Sequence, residues 1–108
     1  MSDWETNLGG WADRYIKELN SGVRVSFRPK GHSMTPRIKN EQLCVVEPAD
    51  WYDIEKDMIV LCTVKGYQYV HLVTAVKGDQ YQISNNKGHI NGWISRDKIY
   101  GVLHSVHD

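Results

Sequence analysis

A mainly β fold, coiled and mostly antiparallel, with one N-terminal helix, is what this sequence of 108 residues predicts. Three observations predict it. After Gly22 the apolar residues change from helical spacing to a spacing of two. Short apolar runs then recur, each closed by a turn rich in Gly, Pro, Asn or Asp. The length suits a single small domain, and 41% hydrophobic with 24% charged residues is a globular composition, neither disordered nor fibrous.

Residues 3–20 read as an amphipathic helix, because Trp4, Leu8, Trp11, Tyr15, Ile16 and Leu19 recur at spacings of three and four. Asp3 is placed to cap its start and Ser21-Gly22 to stop it. Gly9-Gly10 weakens its middle, at about 1 kcal/mol per glycine relative to alanine, so the helix depends on docking its aromatic face. Residues 1–22 thus form a helical lead-in to a β domain spanning 23–108. Val23, Val25 and Phe27 alternate with Arg24, Ser26 and Arg28 as a half-buried strand that Pro29 ends. Residues 30–41 are a loop or a short helical turn. Strands follow over 42–47, 58–64, 67–76, 80–84 and about 98–106. Lys65-Gly66 and Gly78-Asp79 turn two hairpins, and 85–92 is a polar Gly/Asn loop.

Charge and composition exclude several classes. Thirteen Lys and Arg balance thirteen Asp and Glu, so a primary nucleic-acid binder is disfavoured and nothing favours a membrane surface. No apolar run approaches the roughly 20 residues that span a bilayer, and the N-terminus lacks a basic, apolar leader, so a soluble cytoplasmic protein is expected. Cys44 and Cys62, each inside an apolar run, read as buried thiols of a reducing compartment. His104 and His107 lack the companions of a metal site and no phosphate loop is present, so neither a metal nor any other cofactor is expected. Arg24, Arg28, Lys30, Arg37 and Lys39 make a local basic stretch, read either as a solvated face or as a site for an acidic partner or nucleic acid.

The chemistry-bearing residues are Ser33 and His71. Ser33 sits in Gly31-His32-Ser33-Met34-Thr35-Pro36, a loop that can expose a hydroxyl and present backbone N–H groups to a developing oxyanion. His32 and Met34 flank the serine there. A serine needs a base, and among the five histidines His71 stands apart because it interrupts an apolar strand, Tyr69-Val70-His71-Leu72-Val73. Alternation places it on one face with Tyr69 and Val73.

The stretch from Gly31 to Ile38 resembles the nucleophile box of the LexA/signal-peptidase superfamily of serine peptidases, Gly-x-Ser-Met-x-Pro followed by an apolar residue. Asp57-Met58-Ile59-Val60 resembles that family's next strand, Tyr69 to Val73 its base-bearing strand, Tyr81 to Asn86 the segment that the histidine-type members write Gly-Asp-Asn-Asn, and Ile99 to Leu103 its closing Gly-x-Val strand. The resemblance covers about residues 23–106 and implies a LexA/signal-peptidase-type β fold. It also implies a peptide bond as substrate, Ser33 as nucleophile and His71 as base. The two lie 38 residues apart in the chain.

The sequence departs from the family in three ways. The base is a histidine, as in archaeal and endoplasmic-reticulum signal peptidases, rather than a lysine. No aspartate matches the one that orients that histidine: position 84 is Ser, Asp97 is the nearest downstream acid, and the loop offers Asn86, His89 and Asn91, of which Asn86 and His89 are the candidates to orient His71. There is also no membrane anchor, no repressor-type DNA-binding domain and no Ala-Gly or Cys-Gly self-cleavage site. The expected function is a serine peptidase with a Ser33/His71 dyad acting on a peptide or protein. The alternative is a phage or mobile-element accessory module that keeps the fold, has lost catalysis and binds a partner protein, with Trp51 or Trp93 on its contact surface. A small transcriptional regulator is the weakest reading, since no DNA-reading helix is apparent.

Overall fold

A computed structural model of the chain describes residues 10–108. The one α-helix among the described residues, α1 (Asp13–Asn20), follows a turn at 10–12 and ends where the sequence places its stop. Gly22 is left-handed (φ 89°), and its neighbour Val23 donates its N–H back to the Glu18 carbonyl at 3.0 Å, a Schellman-type closure. Trp4, Leu8 and the Asp3 cap lie outside the described residues.

Seven strands follow: β1 (Val25–Phe27), β2 (Leu43–Pro48), β3 (Ile59–Val64), β4 (Tyr67–Lys77), β5 (Gln80–Ser84), β6 (Ile90–Ser95) and β7 (Ile99–His107). They form one sheet in the order β1-β2-β7-β3-β4-β5-β6, with every neighbouring pair antiparallel. The mainly β, antiparallel prediction therefore holds, with one α-helix among the described residues.

Four register shifts, between Val45/Val46, Leu61/Cys62, Val73/Ala75 and Ile83/Ser84, add local twist and bend the strands. The sheet coils far enough to bring its far edge back over its centre. Gly92 on β6 comes so close to β3 that a Cβ there would lie 3.1 Å from Val64 Cγ1, although β4 and β5 separate the two strands in the sheet order.

Both faces of this coil carry a core. One gathers Leu19, Phe27, Met34, Ile38, Val46, Leu61 and Val70, with Trp11, Tyr15 and Ile16 of the α1 region packed on it; the other gathers Ile54, Val60, Cys62, Val73, Ile83 and Val102. β3 alternates between them, which is why its sequence is almost continuously apolar. Gly101 on β7 lets α1 dock: a Cβ there would lie 2.5 Å from Val46 Cγ1 and 2.9 Å from Leu19 Cδ1.

Two expectations are corrected. Val23 is not in β1; it is 47% exposed, its N–H held by the helix end. Residues 85–92 are not loop throughout. The turn closes at 85–89, where Asn85 Oδ1 accepts from the N–H groups of Lys87 (2.8 Å) and His89 (2.9 Å), and β6 starts at Ile90. Gly92 looks like loop composition, but its missing side chain is what admits Val64.

Candidate active site

The loop leaving β1 delivers Ser33 to the middle of β4. Gly31, left-handed at φ 116°, donates its N–H to Asn40 Oδ1 at 2.8 Å and turns the chain. Met34 and Ile38 plug into the first core at 5% and 4% exposure, fixing the loop while Ser33 stays exposed. Asn86 clamps it from the other side: its N–H donates to the Ser33 carbonyl and its side-chain amide to the Thr35 carbonyl, each at 2.9 Å.

Ser33 and His71 meet as the sequence predicts, with Oγ 3.0 Å from Nε2. Nδ1 of His71 is 2.7 Å from Oδ1 of Asn91. A carbonyl oxygen can only accept, so Nδ1 carries the hydrogen; in the neutral ring Nε2 then offers its lone pair to the serine O–H. Burial holds the ring below its ordinary pKa and so keeps it neutral near pH 7, the Asn91 hydrogen bond opposing this and nearby His89 adding to it. The imidazole stacks on Tyr69, with centroids 4.5 Å apart and planes at 24°, as the predicted shared face requires. Ser33, His71 and Asn91 are thus linked in the order in which a nucleophile, a base and a group orienting the base would stand.

The orienting residue differs from the two candidates that sequence reasoning put forward. Asn86 works on the loop backbone, and His89 is exposed at the hairpin turn. Asn91 takes the place because β6 pairs beside β5, with Ser84 opposite Ile90, and the next residue then reaches His71. The signal was present as an Asn in the right segment, but reading 85–92 as loop removed the strand that aims it. Ser84 hydrogen-bonds Thr74 at 2.8 Å, and Asp97 bonds Ser95, so neither serves His71. Among the described residues no carboxylate hydrogen-bonds His71.

His32 points to solvent, and its carbonyl accepts from the Thr35 N–H at 3.2 Å. The N–H groups of Ser33 and Met34 have no hydrogen-bond partner among the described residues. A groove of about 510 Å³ opens beside the pair, lined by the α1 region, the Ser33 loop and the start of β4. Along that start one edge of β4 has no strand paired to it. β3 pairs with β4 from Tyr67 to Leu72, whereas β5 pairs with it only from Leu72 onward.

No group of three or more metal-ligating side chains occurs among the described residues, and none of their helices is long and apolar enough to cross a membrane. Cys44 and Cys62 are free and buried, and burial pushes the Cys44 thiol up to about 11. No protein-family model matches the chain, and neither does any curated protein.

Proposed function

We propose that the protein is a serine peptidase of the LexA/signal-peptidase type that works in a reducing, cytoplasmic setting and hydrolyses a peptide bond with a Ser33/His71 dyad. One observation carries this reading: Ser33 Oγ lies 3.0 Å from a buried histidine nitrogen whose tautomer Asn91 sets. His71 takes the serine proton as Oγ attacks the scissile carbonyl and returns it to the leaving amine. The unpartnered N–H groups of Ser33 and Met34 serve the oxyanion. Asn91 acts through His71 as a positioning residue.

The bare edge of β4 suits an extended substrate. Val73 makes both its backbone bonds on the β3 side, to Met58 O (2.8 Å) and from Asp57 N (2.7 Å). By alternation the backbone groups of Gln68 and Val70 face the other way, toward the groove. The Gln68 carbonyl on that side accepts from Trp11 Nε1 at 3.2 Å, which leaves the Val70 backbone groups for a peptide. A peptide laid there adds a strand beside the dyad.

The test is digestion of a proteome-derived peptide mixture, with new termini sequenced by mass spectrometry. Wild type generates termini that Ser33→Ala does not; identical products from the two would refute the peptidase reading. A second reading, a non-catalytic module that binds a partner protein, draws on the amide in place of an acid behind His71 and on the exposed Trp51 (56%) and Trp93 (45%). It predicts no cleavage, and partner capture that survives Ser33→Ala but not substitution of those tryptophans.

A further inference from the structure

The groove beside Ser33 has a composition that the dyad alone does not explain. Its floor is apolar and buried: Phe27, Met34, Ile38 and Val70 are each at most 7% exposed. Aromatic rings flank it. Trp11 packs edge-on against Phe27 at 5.5 Å between centroids, and Tyr69, stacked on His71, carries the opposite wall up to the base. At about 510 Å³ it has the capacity of a site that encloses a bulky organic group. A methyl-sized side chain leaves such a floor wet, whereas an aromatic one covers it.

The charge at the rim is one-sided. Among the described residues Arg28 and Lys30 line the groove and no carboxylate does. The nearby Asp13 is turned aside, accepting from Gln68 Nε2 at 2.7 Å. Arg28 donates to the Glu41 carbonyl and to the terminal carboxylate of Asp108, so its charge is held in place and partly offset, while Lys30 has no hydrogen-bond or ion-pair partner among the described residues and is the free cation of the rim. Two cations over an aromatic floor also suit a nucleobase and its phosphate. The balanced net charge of the chain favours a peptide.

We propose that this groove selects peptide segments in which a large aromatic side chain stands next to an acidic residue. This selectivity rests on the peptidase reading for its purpose, and is tested apart from it by binding to a chain that cannot turn over. The Ser33→Ala protein is titrated calorimetrically with end-blocked heptapeptides of alanine carrying Phe-Glu, Ala-Glu or Phe-Lys at the centre, and with an oligothymidylate. The Phe-Glu peptide binds tighter than the Ala-Glu one by roughly tenfold or more, the scale of burying one aromatic side chain. It also binds tighter than the Phe-Lys peptide, and Lys30→Glu reverses that second preference.

Equal affinities for the three peptides overturn the proposal, as does oligothymidylate displacing the Phe-Glu peptide. If the peptides discriminate as stated but wild type cleaves nothing, the groove selectivity stands and the peptidase reading falls. If wild type cleaves without regard to Phe-Glu, the reverse holds.

Discussion

Replacing Asn91 by Asp moves the pH dependence of the site by a calculable amount. In the native protein a neutral amide oxygen 2.7 Å from Nδ1 holds the imidazole, and burial depresses its pKa. The base is active when neutral, so reactivity at Ser33 is full above that value and is lost as pH falls through it, a midpoint below about 6.5. A carboxylate at position 91 puts a negative charge beside the imidazolium. Unit charges roughly 4 Å apart interact by about 4 kcal/mol at an effective dielectric of about 20, and one pH unit corresponds to 1.36 kcal/mol. The ceiling is thus about three units. Position 91 is only half-buried, so solvation of the new carboxylate takes back part of this, and a rise of one to two units is expected. The assay is the rate constant for inactivation by a fluorophosphonate from pH 5 to 9. Asn91→Asp shows the acid limb displaced upward, with slower reaction than wild type at pH 6 and a plateau at least as high at pH 9. An unchanged midpoint would refute the assignment of Asn91 as the group that orients His71.

Three further outcomes follow from the same structure. Asn86→Ala removes the side-chain bond to the Thr35 carbonyl while keeping the backbone bond to Ser33; inactivation slows by about tenfold or more through lost positioning, with the midpoint of its pH profile unmoved, which separates it from Asn91. Gly101→Ala drives a methyl group into Val46 and Leu19 and destabilises the fold by about 1–3 kcal/mol, read as a drop in Tm of roughly 4–8 °C per kcal/mol. Glu47 is 6% exposed and bonded by Tyr52 and Arg24, with His104 nearby; these bonds, that of Tyr52 first, hold its carboxyl below the usual range. Its stabilisation is therefore complete above the ordinary carboxylate pKa and is lost as pH falls through the folded value. Glu47→Gln costs roughly 1–3 kcal/mol at pH 7 and flattens the acid side of the stability profile, as urea titrations at pH 7 and pH 3 would show.

The parts of the molecule that were legible in the sequence are those where local pattern and tertiary demand agree. β3, β4 and β5 were bounded to within a residue, because apolar runs between Gly turns have no competing interpretation. The Ser33–His71 contact was legible for a different reason: one strand histidine in an apolar run needs a polar partner, and the resemblance in residue order supplied it. β6 was missed because its beginning, Ile90-Asn91-Gly92, carries turn residues for tertiary reasons, Gly92 to admit Val64 and Asn91 to meet His71. The orienting residue went with it. The Glu47 cluster was not legible either, since Arg24 and His104 lie far along the chain from Glu47 and Tyr52, and the β1–β2 and β2–β7 pairings bring them together.

The central claim is an activated Ser33/His71 pair, and mapping a fluorophosphonate adduct tests it most directly. Wild-type protein is incubated with the probe at pH 8, digested and sequenced by mass spectrometry, with Ser33→Ala and His71→Ala alongside. The account predicts one stoichiometric adduct on Ser33 in wild type, none in Ser33→Ala, and a rate lowered by at least a hundredfold in His71→Ala. An adduct on another residue, or labelling of Ser33 that does not slow when His71 is removed, would contradict it.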